Sequence, residues 1–340
     1  MRKSSYEDLA PRLAAIGERP PRWLVTGTAG FIGSHLAEAL LSLGQDVAGL
    51  DNLSTGFAHN LEALERAAGS RGRFHFFRGD VRDKEVCREA CKGVRVVLHH
   101  AAFVSVPASM ADPVAAHATN VDGFFNMLEA ARENGVRRFI YASSSAVYGD
   151  AAELPLREEH ANRPLLSPYA VTKKINELYA EAWGKIYGLN CTGLRYFNVF
   201  GPRQDPESPY AAVIPRWIDA LSHGLPVPVY GDGEQTRDFC YVKNVVRANL
   251  LAALAEKAGV YNIACGVETT LNELFRILKQ NTAPDSNCRP VYEEPRAGDI
   301  VRSFASVERA RLLLGYEPLY SLEEGLAEMC AAWRSENGKP

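Results

Sequence analysis

The chain has 340 residues, 46% apolar and 23% charged, with a formal net charge of −3. That length suits a large domain with a smaller lobe better than one compact core. So balanced a charge offers no field to nucleic acid or a membrane surface, and an anionic ligand has to be met by local arginines. The first 21 residues carry Arg2, Lys3, Glu7, Asp8, Arg12, Glu18 and Arg19, with no apolar signal core between them. No stretch reaches the ~18 apolar residues of a membrane span, so a cytoplasmic protein is expected.

In chain order, Arg22 to Thr26 (RWLVT) reads as a buried parallel strand, broken by Gly27. Phe31 to Leu43 has helical apolar spacing, Asp46 to Leu50 is a strand ending at Asp51, and a weaker helix covers Ala58 to Ala68. Arg73 to Arg78 is a strand ending in Gly79-Asp80, and Asp83 to Cys91 a helix with Asp83 as N-cap. Val94 to His99 is the fourth strand and Asp112 to Asn134 a long helix. Phe139 to Ala142 is the fifth strand, Pro168 to Tyr187 a helix, and Cys191 to Arg195 another strand. The alternation implies right-handed βαβ units, hence an α/β fold with a Rossmann-like, doubly wound parallel sheet. After residue 200, Pro and Gly punctuate Pro202 to Gly233 and Pro284 to Gly298. The expected division is an extension over 1–21 and a dinucleotide-binding domain over 22–200 with a contribution from 236–265. A smaller mixed α/β lobe is expected from 201–235 and 266–340.

Seven cysteines are scattered from Cys87 to Cys330. Cys87 and Cys91 have helical rather than metal or redox spacing, so the reading is reduced thiols acting as small apolar residues. His99 and His100 point to opposite faces of a strand, and no metal site is expected.

Gly27-Thr28-Ala29-Gly30-Phe31-Ile32-Gly33 lies at a strand-to-helix turn. Glycine there permits the tight turn, the close approach of backbone N–H groups to a pyrophosphate, and helix-on-sheet packing. The helix N-terminus then faces the phosphates. Asp51 ends the second strand about 20 residues on, where a carboxylate accepts hydrogen bonds from a ribose diol and repels a 2′-phosphate, favouring NAD. Asp80-Val81 fits contact with an adenine edge, or Asp80 caps the following turn.

Tyr169 and Lys173 are four apart on a helix and share a face. Ser143, Ser144 and Ser145 follow the fifth strand at the carboxyl edge of the sheet, where open α/β sheets bind ligands. Lys⁺ beside a phenol lowers its pKa, as does the positive nicotinamide of NAD⁺. The phenolate then takes a proton from a sugar hydroxyl while hydride leaves the same carbon, and a Ser hydroxyl positions the reacting oxygen.

With these residues in place the chain resembles the extended short-chain dehydrogenase/reductases over about residues 22 to 335. The motifs are GTAGFIGSH at Gly27 to His35, Asp51-Asn52, Gly79-Asp80-Val81, His100-Ala101-Ala102 and Asn120. SSSAVYG at Ser143 to Gly149, YAVTK at Tyr169 to Lys173 and RYFNVFGPR at Arg195 to Arg203 complete the set. Within the family it is similar to the NAD-dependent UDP-glucose and UDP-N-acetylglucosamine 4-epimerases. The resemblance implies that Ser144, four residues before Tyr148, is the catalytic hydroxyl. It implies an NAD site of Gly27, Gly30, Phe31, Ile32, Gly33, Asp51, Asn52, Ser54, Thr55, Gly56, Asp80, Val81, His100, Ala101, Ala102, Asn120, Tyr169, Lys173 and Phe197. It implies a UDP-sugar site of Val104, Ser105, Ser144, Ser145, Tyr169, Asn198, Ala212, Val213, Tyr230, Arg237, Arg296, Asp299 and Ser303. Arg237 and Arg296 would grip the diphosphate and Asp299 the uridine ribose.

Dehydratases of the superfamily carry Asp-Glu where this chain has Ser145-Ala146, which argues against water elimination. Ser303 and Ala212 match small residues that admit an N-acetyl group, whereas Val104 is bulkier than the glycine often found there. The resemblance therefore implies UDP-GlcNAc/UDP-GalNAc as substrates together with UDP-Glc/UDP-Gal. The alternatives are a UDP-glucuronate 4-epimerase or decarboxylase and, from another class, a non-catalytic NAD-binding scaffold or sensor. A homodimer through the helices at 112–134 and 168–187 is implied as well.

Overall fold

The computed structural model describes residues 6–16, 22–69, 73–151, 153–206, 212–295 and 300–336. A short helix, α1 (Ala10–Ala14), precedes the sheet. The alternating half follows as β1 (Arg22–Thr26), α2 (Phe31–Ser42), β2 (Asp46–Asp51), α3 (Ala58–Ala68), β3 (Arg73–Arg78), α4 (Lys84–Ala90) and β4 (Val96–His99). It continues through α5 (Val106–Ala111), α6 (Pro113–His117), α7 (Gly123–Glu133), β5 (Arg138–Ser144), α8 (Pro168–Tyr187) and β6 (Asn190–Tyr196).

The main sheet has seven strands, six of them β1 to β6, in parallel register. The seventh, β11, is added beside β6 from later in the chain. In space the order runs from β11 through β6, β5, β4, β1 and β2 to β3. The strand order reverses between β1 and β4, and a crevice at the carboxyl ends opens there. The central strands are buried almost end to end because helices cover both faces. One apolar layer holds Leu36, Leu40, Val245 and Leu250. The opposite one holds Met127, Leu128, Phe139 and Ala180.

The second half begins with β7 (Asn198–Phe200), α9 (Val213–Ser222), β8 (Val227–Tyr230), β9 (Thr236–Arg237) and β10 (Phe239–Tyr241). It then returns to the main sheet with α10 (Val242–Leu254) and β11 (Gly259–Ile263). After β12 (Thr269–Thr270), α11 (Leu271–Thr282), β13 (Pro290–Glu293), α12 (Glu308–Leu314) and α13 (Leu322–Glu336), the described chain ends. The lobe has three two-stranded pieces, β10 with β7, β12 with β9 and β13 with β8. They lie about an apolar core that includes Ile214, Trp217, Ile218, Leu274 and Leu326.

One feature departs from the sequence reading. The single helix expected from Asp112 to Asn134 is broken. Asp112 caps α6 through the N–H of Ala115, Pro113 follows at its first position, and a π-turn at Ala118–Asp122 separates α6 from α7. The N-terminal segment has a packing role. Leu9 and Leu13 are fully buried, and Asp8 makes two 2.8 Å bonds to Arg247 of α10. All seven cysteines are free thiols, and burial pushes Cys87, Cys91 and Cys191 up to about 12, so they sit as inert apolar groups.

Candidate active site

The turn after β1 is built for close backbone approach. Gly27 has φ +71°, and a Cβ there would lie 2.9 Å from the His100 carbonyl. A Cβ on Gly33 would lie 2.0 Å from the Gly27 carbonyl oxygen, and one on Gly56 2.6 Å from the Ala29 methyl. The N-cap of α2 is Gly30, which brings no side-chain acceptor, so the first-turn N–H groups of Phe31, Ile32 and Gly33 face the crevice as a ready anion site. Asp51 accepts from Ala29 N at 2.9 Å and Leu53 N at 2.8 Å, which fixes its carboxylate at the end of β2 beside that turn. These residues fit a dinucleotide whose pyrophosphate lies over the glycines and whose ribose lies against Asp51.

Other residues of the expected NAD set hold the groove's walls. Asp80 receives Arg82 through Nη2 at 2.7 Å and Nε at 3.0 Å, the Arg82 N–H at 2.9 Å and Asn52 Nδ2 at 2.7 Å. Its side chain therefore caps the turn, and Arg82 holds its carboxyl down at about 2. Ser54 and Thr55 are exposed on the loop after β2, and Val81 is buried. Asn120 lies in the π-turn with its amide committed to both backbone groups of Phe103, at 2.7 and 2.9 Å, and to Thr172. It acts on the groove by holding the segment after Ala101 and Ala102. His100 bonds Tyr196 at 2.7 Å and burial pushes it down to about 3, so it is neutral. Phe197 is buried beside Tyr148.

The three residues expected to be catalytic, Ser144, Tyr169 and Lys173, lie at the carboxyl edge of β5. Ser144 ends that strand, and its hydroxyl accepts the Ala146 N–H at 3.1 Å. Ser167 caps α8 and Pro168 opens it, which places Tyr169 and Lys173 one turn apart facing β5. Tyr169 N donates to Ser109 of α5 at 3.1 Å.

One electrostatic expectation is corrected. Burial raises the Tyr169 pKa, and the group that lowers it is Ser144. The Lys173 ammonium donates to the Ala142 carbonyl at 2.9 Å and stands 5.8 Å from the centre of the Tyr169 ring, so it does not reach the hydroxyl. Burial pulls Lys173 itself down to about 8.

A cavity of about 210 Å³ opens in the lobe and gathers Asn198, Val213, Tyr230 and Arg237 of the expected UDP-sugar set. Arg237 is aimed by its bonds to the carbonyls of Ile300 at 2.6 Å and Thr236 at 2.9 Å. Ala212 precedes α9 and is exposed. Ser303 is buried at 8% exposure, which removes a solvent-facing role. Its neighbour Ala305 is fixed to Asp238, whose carboxyl burial raises to about 6 against several backbone N–H donors. Val104 is 67% exposed, Ser105 caps α5, and Ser145 opens the turn after Ser144. Arg296 and Asp299 lie outside the described residues.

The sequence reading missed several members. Arg216, Trp217, Gln235 and Phe239 line the same cavity. The Val213 and Arg216 spacing of i and i+3 was the available signal. Thr26 was missed too. Its hydroxyl receives the N–H groups of His100 and Ala101, both at 3.0 Å, and so ties the ends of β1 and β4 together at the crevice.

Among the described residues no helix is long and apolar enough to cross a membrane, and no cluster of His, Cys, Asp and Glu could hold a metal ion. The family model described as "NAD dependent epimerase/dehydratase family" matches residues 23–264. The crystal structure of UDP-glucose 4-epimerase from Thermotoga maritima with UDP-glucose is 38% identical, at a TM-score of 0.86, over 93% of this chain and 99% of that one. The UDP-N-acetylglucosamine 4-epimerase from Methanobrevibacter ruminantium, in complex with UDP-N-acetylmuramic acid, gives the same identity, TM-score and coverage. UDP-glucose 4-epimerase from Thermus thermophilus, complexed with NAD, is 37% identical at a TM-score of 0.81, over 92% and 99%. A glycine-lined crevice, a Ser-Tyr-Lys constellation at its edge and a family match over most of the chain converge: the protein belongs to the NAD-dependent epimerase/dehydratase family and is a nucleotide-sugar 4-epimerase.

Proposed function

We propose that the chain interconverts the C4 epimers of UDP-hexoses, UDP-GlcNAc with UDP-GalNAc and UDP-Glc with UDP-Gal, through a transient 4-keto sugar. The observation that carries this reading is the placement of Tyr169 and Lys173 one turn apart on α8 against the carboxyl edge of β5, where Ser144 ends the strand and the Ala142 carbonyl takes the Lys173 ammonium at 2.9 Å. Bound NAD supplies the one capacity these side chains lack, a hydride acceptor and donor at C4. Tyr169 removes the proton from the C4 hydroxyl and later returns it. Ser144 holds that oxygen and favours the phenolate. Lys173, charged below about pH 8, keeps a positive field under the ring.

Inversion requires that the nucleotide stay held while the hexose turns. Asn198, Val213, Tyr230 and Arg237 serve the first need, with Arg296 and Asp299 as further candidates. The second is served by the small residues Ser105, Ser145, Ala212 and Ser303, with Val104 at the open side. A small buried Ser303 is what favours admission of the N-acetyl group.

Chromatographic product analysis with UDP-Glc, UDP-Gal, UDP-GlcNAc and UDP-GalNAc tests the reading, and all four are expected to equilibrate with their epimers. Tyr169→Phe is expected to lower kcat about 10³-fold with NAD still bound. Undiminished conversion, or conversion of UDP-glucuronate in place of the neutral sugars, would replace this function.

The same reading includes a homodimer. Met110, Val114 and Phe125 from α5 to α7, and Val171 and Leu178 from α8, leave apolar surface exposed on helices that pack side by side. Light scattering should return twice the chain mass, and a single-chain mass would remove the dimer.

A further inference from the structure

Beneath the Ser-Tyr-Lys constellation lies a chain of buried polar groups that the proton transfer does not touch. Glu177, one turn beyond Lys173 on α8, takes Arg195 of β6 in a two-pronged pair, Nε to Oε1 and Nη2 to Oε2, both at 2.8 Å. Both side chains are about 95% buried or more. Glu177 Oε1 also accepts the Ser143 hydroxyl at 2.7 Å, and Ser143 is the neighbour of Ser144.

Arg195 Nη1 donates to the Tyr148 hydroxyl at 3.0 Å, and Tyr148 in turn donates to Asn262 Oδ1 at 2.5 Å. Asn262 Nδ2 donates to the carbonyls of Leu156 and Ser306, at 2.9 and 3.1 Å. Leu156 N donates to the carbonyl of Phe304, next to Ser303. One hydrogen-bonded path therefore runs from the catalytic serine's neighbour to the segment carrying Ser303.

A buried ion pair adds little net stability over apolar residues of the same size, but it fixes the positions of everything bonded to it. Here those things are the end of β5 and the sugar-side segment. We propose that Glu177 and Arg195 are positioning residues for the epimerisation. Through Ser143 they fix β5 so that the Ser144 hydroxyl meets Tyr169, and through Tyr148 and Asn262 they hold the Ser303 segment in the same frame. The inference rests on the proposed function for its kinetic arm only.

Ser143→Ala tests it while leaving the ion pair intact. It is expected to lower kcat about tenfold with KM little changed, the signature of an interaction made in the transition state. With Ser144 loosened, Tyr169 loses the neighbour that lowers its pKa. Its titration, read from near-ultraviolet phenolate absorbance with Tyr169→Phe as the blank, is therefore expected to move to higher pH. Ser144 lowers the Tyr169 pKa and the Lys173 ammonium lies 5.8 Å from its ring centre, and Ser143→Ala substitutes neither.

An unchanged kcat, an unmoved titration, or either change without the other overturns the proposal. Glu177→Gln, with its melting temperature recorded, is expected to do the same more strongly. If that variant does not fold, Ser143→Ala still decides. A parent chain that turns over no UDP-hexose would sink the functional reading, while the titration, which needs no turnover, would still show whether Ser143 places Ser144.

Discussion

The two halves of the molecule build their sites in different ways. The phosphate-facing turn of the dinucleotide crevice comes from a short run of sequence, Thr26 to Gly56, and its surface is largely backbone: glycines whose Cβ would strike carbonyls and the open first turn of α2. The lobe cavity draws Asn198, Val213, Tyr230 and Arg237 from four elements joined by two-stranded pieces, and it recognises with side chains. A site made of backbone tolerates almost no substitution because any Cβ fills it. A site made of side chains changes its ligand one residue at a time. Cofactor residence is thus tied to the fold, and hexose choice is a property laid over it.

Gly33→Ala breaks the first half of that contrast most severely. Its methyl would lie 2.0 Å from the Gly27 oxygen, a backbone atom at the tightest point of the turn. The expected result is loss of copurified NAD and a stability cost of about 3 kcal/mol. NAD content and thermal melting measure both. Retention of the cofactor at normal stability would show that the turn has room, and the backbone argument would fail.

Ser303→Tyr addresses the other half. The segment around it is tied to Leu156 and Asp238, which leaves a large ring little room to swing away, and the proposed function puts that ring on the sugar side. UDP-GalNAc turnover should fall about a hundredfold while UDP-Gal turnover is spared. Equal loss on both sugars would end the idea that this position selects the hexose. Arg237→Lys is milder. It keeps the charge and loses the fork that the Ile300 and Thr236 carbonyls aim. KM should rise about tenfold for every UDP-sugar alike, with kcat and NAD content unchanged. A change confined to one sugar would place Arg237 at the hexose instead of the diphosphate.

The same contrast explains what could be read before the fold was known. Strand and helix alternation, the turn glycines, Asp51 and Tyr169 with Lys173 are local patterns, and each falls where its spacing put it. What escaped depends on distant partners. The helix expected through Asp112–Asn134 breaks because Pro113 and the π-turn around Asn120 serve contacts to Phe103 and Thr172, far away in sequence. Lys173 was expected beside the Tyr169 phenol to lower its pKa, but spacing says only that the two share a face, and the Ala142 carbonyl takes the ammonium. Arg216 and Trp217 of the cavity went unread, since nothing local says which helix face a lobe will close over.

The smallest expected effect tests whether side chains matter to the cofactor half at all. Asp80 stands at the end of β3, where its carboxylate is held down to about 2, from an ordinary 3.8, by the Arg82 hydrogen bond. Because the folded value lies below the unfolded one, the stabilisation is complete above 3.8 and is lost as pH falls through about 2. The side chain is 24% exposed and Arg82 53%, so screening reduces the contribution to about 1 kcal/mol. Asp8, Glu129 and Glu268 are also held below their ordinary carboxylate values, by Arg247, Arg132 and Arg302. The informative quantity is therefore the difference in melting temperature between the parent and Asp80→Asn, followed from pH 5 to pH 2. That difference should be small but steady above about pH 4, shrink toward zero by about pH 2, and be reduced throughout by added salt. Growth of the difference on acidification would mean that the Asp80 carboxylate is strained in the fold rather than held by Arg82, and the turn after β3 would owe its shape to backbone alone.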